Sequence, residues 1–233
     1  MKNTFTKTIV SGAVLSMLAS SALVLSTSTM AYEKGDILVR AGFTNVSPND
    51  DASNIIAGGA DLGVSLTVDS NTQLGLNVAY FITDQINVEL LAATPFTHDV
   101  NFSVADPLGT GNQLGEVTHL PPSLTANYYF LDAASAFQPY VGAGLNYTII
   151  FDEEFTGANK SAGLSKLDLD NSFGLTAQIG ADYKIDNKWH VNASVRWIDI
   201  DTEASFMVGE ASGSVADIQI DPTVFTISLG YTF

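Results

Sequence analysis

Apolar and polar side chains alternate with a period of two along most of the chain beyond residue 31. The C-terminal segment shows the pattern clearly, because every second residue is large and apolar: Phe225, Ile227, Leu229, Tyr231 and Phe233. The residues between them are small or polar. Successive side chains of a β-strand point to opposite faces, so the pattern predicts strands with one apolar and one polar face. No apolar run in this part of the chain approaches the roughly 18 residues that a membrane helix needs.

The alternation predicts eight strands in one domain, residues 32–233. We place the strands at residues 36–44, 72–82, 86–98, 116–130, 139–151, 168–185, 188–204 and 216–233. Short turns alternate with long loops, which we place near 45–71, 99–115, 152–167 and 205–215. This spacing is typical of an all-β, eight-stranded antiparallel transmembrane β-barrel with long extracellular loops and short periplasmic turns.

A soluble β-sandwich with one solvated face would show the same alternation. Two features favour the barrel. The polar positions hold small uncharged residues rather than Lys and Glu, which suits a crowded barrel interior. Aromatic residues recur beside the short turns, where an interfacial girdle belongs: Tyr80, Tyr128, Tyr183, Trp189, Tyr231 and Phe233. Because lipid cannot satisfy a free sheet edge, we expect the first strand to pair with the last.

Residues 1–31 have the features of a cleaved export signal. Lys2 and Lys7 precede a run rich in Val, Leu, Ala and Ser, and small residues follow at 29–31. An uncleaved membrane anchor is the alternative, but Ser and Gly residues interrupt the run and no stop-transfer charges follow. We expect the mature protein to function outside the cytoplasm.

The composition excludes several classes of function. With Lys+Arg 9 against Asp+Glu 25 and a net charge of −16, the chain lacks the basic face that nucleic acid requires. The absence of cysteine excludes disulfides, thiolate nucleophiles and Cys-ligated metals. We therefore expect no cofactor, no metal and no nucleic-acid partner.

Candidate catalytic residues do not form a convincing set, so we expect no catalytic site. His190 and Ser194 lie about 13 Å apart along one strand, beyond hydrogen-bond reach, which disfavours a lipid-modifying enzyme. His98 and His119 could be neighbours near the rim, with Asp99 beside them. Zinc sites usually need three or four ligands, so we interpret this group as solvated rim residues. The acidic segments 152–155 and 198–203 are likewise interpreted as solvated loops rather than as ligands for divalent ions.

Several long segments carry a family resemblance. They read NTQLGLNVAYFITDQINVELLAATPFTH at 71–98, HLPPSLTANYYF at 119–130, FQPYVGAGLNYTIIF at 137–151, DYKIDNKWHVNASVRWIDIDT at 182–202 and GYTF at 230–233. In these segments the chain resembles the OmpW family of bacterial outer-membrane proteins, over essentially its whole mature length. The resemblance implies an eight-stranded barrel in a Gram-negative outer membrane. It also implies a narrow, largely hydrophobic interior that takes up small apolar molecules and releases them sideways into the bilayer.

The alternation places Glu89 and Leu91 in the lumen, and Arg40, Asp182 and Arg196 face inward as well. Buried charges in a lumen are expected to pair with one another. Leu91 with Glu89 and Arg196 is our candidate lumen constriction, which would exclude water and ions. The alternative is simple packing, because small barrels fill their interiors with side chains.

Prolines occur near the outer ends of two neighbouring strands. Proline cannot donate to a β-ladder, so strand pairing is expected to fail there. We predict a lateral opening bounded by Pro95, Phe96, Leu120, Pro121 and Pro122. A bulge that ends the ladder above the membrane is the alternative.

The leading functional hypothesis is a passive conduit for small hydrophobic molecules. The alternative is a structural or receptor barrel with a plugged lumen, which phages or toxins could bind at its loops. Further expected partners are outer-membrane lipid, lipopolysaccharide and the barrel-assembly machinery. The apolar residues of the last strand, Phe225 to Phe233, are the candidate C-terminal assembly signal.

Overall fold

The computed structural model describes residues 31–105 and 107–233, and most of this part of the chain is β-strand. The predicted export signal lies, except for residue 31, outside the described residues. The strands are β1 (Ile37–Ser47), β2 (Asp51–Ala52), β3 (Ile56–Ala57), β4 (Ala60–Asp61), β5 (Leu66–Val68), β6 (Asn71–Thr83), β7 (Ile86–Ala93), β8 (Phe96–Phe102), β9 (Gln113–Leu120), β10 (Ser123–Tyr129), β11 (Phe137–Phe155), β12 (Leu164–Leu169), β13 (Ser172–Lys184), β14 (Trp189–Ile198), β15 (Asp201–Val208), β16 (Ala211–Gln219) and β17 (Thr223–Thr232). A short helix, α1 (Gly157–Ser161), precedes β12. No helix in the described ranges is long and apolar enough to cross a membrane.

Eight of these strands form a closed antiparallel ring in the order β1, β6, β7, β10, β11, β13, β14, β17. The first strand pairs with the last, so that Phe43 lies opposite Ile227. On the far side, β10 pairs with both β7 and β11. Closure leaves the ring without a free edge. The predicted eight-stranded antiparallel barrel is therefore confirmed.

The alternation of the sequence sorts side chains between the two faces of the wall. In β14, Trp189, Val191 and Trp197 are exposed on the outside, whereas His190 and Arg196 are buried inside. Exposed aromatic rings surround the end of the barrel that carries the short turns: Tyr80, Tyr128, Tyr183, Trp189 and Phe233. An apolar exterior around a polar interior is the arrangement of a barrel in lipid.

Short polar side chains build the tight turns, and we call this end of the barrel the turn end. The Thr83 hydroxyl accepts hydrogen bonds from the backbone N–H groups of Gln85 and Ile86. The Asp186 carboxylate accepts two backbone bonds in the turn that leads to β14. Such local bonds stabilise turns.

At the opposite end, which we call the loop end, the strands run further than predicted. Residues 205–215, predicted as a long loop, form most of the β15–β16 hairpin, whose turn is Gly209–Glu210. Residues 152–167, also predicted as a loop, contain the end of β11, α1 and the start of β12. Register shifts in the β12–β15 and β15–β16 pairs break the period of two, which is why alternation did not reveal these strands.

The predicted strands 86–98 and 116–130 are each divided in two. One becomes β7 and β8, and the other becomes β9 and β10. Pro95 lies at the first division, and Pro121 with Pro122 at the second. Because these residues lack a backbone N–H, a continuous ladder is not possible there.

Candidate functional site

Four charged side chains meet inside the turn-end half of the barrel. The Glu89 carboxylate lies 2.6 Å from Arg40 and 2.8 Å from Arg196. Arg40 also pairs with Asp182 at 2.7 Å. All four are buried. Two carboxylates face two guanidinium groups, so the cluster has no net charge, and each charge depends on its partners for compensation. The structure thus confirms that the inward charges pair with one another.

Polar side chains surround this ionic cluster and fill the lumen around it. Gln178 donates a hydrogen bond to Glu89, and the hydroxyls of Tyr32 and Tyr129 both donate to Asp182. We call the ionic cluster together with Gln178, Tyr32 and Tyr129 the polar plug. Its members come from five barrel strands and from the segment before β1. Burial of every member shows that the lumen is filled at this height.

Small inward residues make room for these large side chains. A Cβ on Gly230 would lie 2.0 Å from Nε2 of His190, its neighbour across the β14–β17 pair. A Cβ on Gly180 would lie 2.5 Å from the hydroxyl of Tyr140, its neighbour across the β11–β13 pair. The glycines of the inward face therefore permit close packing of the large side chains beside the plug.

An apolar layer lies next to the polar plug, towards the loop end. Its buried members are Val46, Phe96, Ile198, Ile200 and Val224. Ile198 follows Arg196 by two residues on the same face of β14, which places the layer directly beyond the plug. Leu91 likewise follows Glu89 by two residues and is buried inside the barrel. Its inward position agrees with the alternation, while its role as a constriction stays a prediction.

Beyond the apolar layer, the loop end contains a cavity with apolar walls, which we call the loop-end cavity. It has about 830 Å³ of empty space, which is continuous with solvent. Eight strands supply apolar side chains to its wall, among them Val46, Leu66, Val100, Leu114, Ile150, Leu167, Ala204 and Ile218. Val46 and Ile200 belong to the apolar layer as well, so this layer is the cavity floor.

The alternation of the sequence did not predict this cavity. Leu66, Leu167 and Ile218 lie in or beside segments that were predicted as loops or strand ends, and no periodic pattern connects them. Apolar residues inside the predicted loops could have indicated the cavity, because solvated loops rarely need apolar residues.

Two histidine rings form part of the cavity wall. His98 Nδ1 lies 2.5 Å from the backbone oxygen of Asp69, and the Nε2 atoms of His98 and His119 lie 3.0 Å apart. The two rings stack with centroids 4.9 Å apart, and His119 also stacks on Phe96 at 5.6 Å. The predicted proximity of the two histidines is therefore confirmed.

Both rings are neutral near pH 7. Burial lowers the pKa of His98, and burial beside His98 lowers the pKa of His119 to about 3. The interpretation of these residues as solvated rim groups was wrong, because the extended wall of the loop end covers them. Asp99, their predicted neighbour, is exposed and accepts a hydrogen bond from Gln113.

The barrel wall is interrupted near the cavity floor. We call residues 92–95 and 120–122 the ladder break, because no Cα pair joins these two segments. Pairing resumes towards the loop end at Phe96 and His119. The five residues predicted to bound a lateral opening thus lie at or beside the ladder break. Phe96 is buried behind it in the apolar layer, and Pro95 is exposed.

Each segment of the ladder break forms backbone hydrogen bonds with the strand on its opposite side. The Thr94 N–H donates to the Leu74 carbonyl of β6. The Pro122 carbonyl accepts from the Tyr147 N–H of β11. Each of the two segments therefore stays bonded to the barrel although the segments do not pair with each other. These bonds lower the free-energy cost of an unpaired stretch in lipid.

The predicted C-terminal assembly signal lies in the last barrel strand, β17. Phe225, Ile227 and Leu229 of β17 face outwards, and the strand pairs with β1 and β14. A role in barrel assembly stays a prediction.

Carboxylate oxygens of Asp199, Asp201 and Asp221 lie within 4.8 Å of one another. Asp199 and Asp221 accept backbone hydrogen bonds where the barrel strands end.

A closed eight-stranded antiparallel barrel with an apolar exterior and tight turns at one end is an outer-membrane β-barrel. The chain belongs to the OmpW family, whose pattern matches residues 33–233. Outer membrane protein W of Vibrio cholerae is 46% identical over 216 residues, which cover 93% of this chain and 97% of the relative. The crystal structure of OprG from Pseudomonas aeruginosa superposes with a TM-score of 0.82 at 40% identity, covering 88% of this chain and 99% of OprG.

A more distant relative is the dibenzothiophene metabolism operon protein PahQ of Pseudomonas aeruginosa. It is 32% identical over 194 residues, covering 83% of this chain and 87% of PahQ. Together these relatives place the protein in the bacterial outer membrane. The turn end is then periplasmic and the loop end extracellular.

Proposed function

We propose that this barrel gives passage to small hydrophobic molecules, which enter the loop-end cavity and leave sideways into the bilayer at the ladder break. The observation that supports this most directly is that an apolar cavity ends on a filled polar lumen. An apolar molecule gains contacts from the cavity wall but would have to separate buried ion pairs to continue through the plug. The ladder break lies beside the cavity floor and offers a way into lipid.

Phe96 is the side chain that separates the cavity from the ladder break in this route. It packs in the apolar layer with residues that also line the cavity, and Ala93 of the break packs against the same layer. Phe96 directly follows Pro95. A change in the position of this one ring would connect the cavity with the break.

The name of one relative supports the proposed substrate class. PahQ is named for a dibenzothiophene metabolism operon, and dibenzothiophene is a flat, apolar aromatic compound. Such a molecule suits a cavity whose walls are nearly all apolar. In this proposal the barrel is a passive conduit and catalyses no reaction.

The polar plug also favours a second candidate, a structural or receptor barrel that acts through its extracellular surface. In that case a sealed lumen would serve stability alone, and the cavity would have no ligand.

The experiment that tests the proposal uses protein refolded into liposomes whose outer leaflet contains lipopolysaccharide, which slows background entry of apolar probes. Entry of a fluorescent apolar probe and of a polar sugar is followed for the natural protein and for Pro121→Ala/Pro122→Ala. The double substitution restores two backbone donors and is expected to close the break, so probe entry falls to the level of empty liposomes. Sugar stays outside in every case.

Pro107→Ala, in the loop between β8 and β9, is the matched control and should leave probe entry unchanged. Equal probe entry with and without the natural protein would contradict the conduit and support the receptor candidate. Fast entry retained by the double variant would contradict the lateral route alone.

A further inference from the structure

Hydrogen bonds determine which ring nitrogen of the histidine pair is free. The backbone oxygen of Asp69 can only accept, so His98 Nδ1 carries a hydrogen and donates it. His98 is neutral, so its Nε2 is an acceptor, and the hydrogen between the two rings belongs to Nε2 of His119. His119 Nδ1 therefore has a lone pair and no hydrogen.

This nitrogen is a buried acceptor without a hydrogen-bond partner. An unsatisfied buried acceptor is unfavourable, and the cost is relieved when a donor reaches it. The other polar side chain on the cavity wall, Thr148, already donates its hydroxyl hydrogen to Asn146. Since the pKa of His119 is about 3, the lone pair is available at neutral pH.

We propose that the loop-end cavity selects small amphiphiles that carry one hydrogen-bond donor, such as phenols, fatty alcohols or N–H heterocycles, and that His119 Nδ1 accepts this donor. The inference rests on the proposed function, because it names the substrate class for the same cavity. The apolar wall binds the hydrocarbon part of the ligand. The unpartnered acceptor distinguishes a ligand with a hydroxyl from the hydrocarbon of the same shape.

The stacked arrangement keeps this acceptor in place. His119 packs against both His98 and Phe96, with ring centroids 4.9 Å and 5.6 Å away, and those two rings also stack on each other at 6.2 Å. The hydrogen bond from His98 to Asp69 fixes the tautomers of both rings. A flip of one ring would leave the Asp69 carbonyl or a ring N–H without a hydrogen-bond partner. Phe96 is also the ring that separates the cavity from the ladder break, so ligand recognition lies beside the exit of the proposed route.

Equilibrium dialysis of the refolded protein in detergent tests this selectivity. The ligands are 2-naphthol, 2-methoxynaphthalene and naphthalene, with empty micelles as the baseline for partition. The methoxy compound keeps the oxygen but lacks the donor. The natural protein is expected to bind 2-naphthol about tenfold more tightly than 2-methoxynaphthalene, the effect of one hydrogen bond to a buried acceptor.

The variant His98→Phe/His119→Phe removes both rings' nitrogens and keeps aromatic stacking on Phe96, so the preference for 2-naphthol should disappear. Both positions are changed because loss of His119 alone would free Nε2 of His98 as a new acceptor. Val117→Ala, on the same cavity wall, is the control. It should change the affinity for all three ligands by a similar factor.

The outcomes separate this inference from the proposed function. If the natural protein binds naphthalene and 2-naphthol equally, the selectivity is overturned while the apolar cavity still binds its ligands. If the double variant keeps the preference, His119 is not the acceptor and the inference fails. If no ligand binds above the micelle baseline, the proposed function fails together with it.

Discussion

The two halves of the lumen have opposite interiors although the same alternating strands surround them. In the turn-end half, large polar and charged side chains fill the space and bond to one another. In the loop-end half, the walls are apolar and space remains. The difference shows that a narrow barrel can be filled at one height and contain an apolar cavity at another. Alternation assigns a face to each residue. The kinds of residue on the inner face then decide whether the lumen is filled or contains a cavity.

The filled half should owe its stability to the pairing of its buried charges. We expect Glu89→Gln to lower the free energy of unfolding by about 3–5 kcal/mol, because Arg196 would be left buried without its carboxylate. The measurement is urea-induced unfolding in lipid vesicles.

Glu154→Gln is the matched control for this prediction. Glu154 pairs with Lys160 on the exposed surface, where ion pairs contribute less than about 1 kcal/mol. Equal losses from the two substitutions would show that the buried cluster does not stabilise the turn-end half.

The filled half should also resist any added volume. Gly230→Ala places a Cβ against the His190 ring, so we expect a loss of about 1–3 kcal/mol in the same unfolding measurement. Gly157→Ala, with no atom within 4 Å of the new Cβ, should change stability by less than about 1 kcal/mol. A tolerated Gly230→Ala would mean that the plug is loosely packed.

A substitution in the apolar layer, at the boundary between the halves, should cost less stability than one in the filled half. Phe96→Leu keeps the apolar layer and should cost less than about 1.5 kcal/mol, since it exchanges one apolar side chain for another. A smaller side chain at the ladder break should raise the rate of apolar probe entry into liposomes. An unchanged or slower rate would exclude Phe96 as the side chain that closes the proposed exit.

The closed barrel was predictable because its evidence is local. Each strand shows its own alternation, each turn its own polar residues, and inward positions such as Glu89, Arg196 and Leu91 follow from counting by two. The strand division at Pro95 and at Pro121–Pro122 also has a local cause, the missing N–H of proline. The loop end was predicted less well, because register shifts near Thr202 and Ser165 interrupt the count.

The sequence by itself determined the fold class, the face on which each barrel residue lies and the places where pairing fails, because these depend on neighbours one to three positions away. Only the tertiary structure decided which inward groups meet. Arg40 reaches Asp182 across 142 positions, and His98 reaches His119 from the next strand. Such contacts depend on the register between strands, which no local pattern specifies. The cavity, its floor and the free nitrogen of His119 follow from that register.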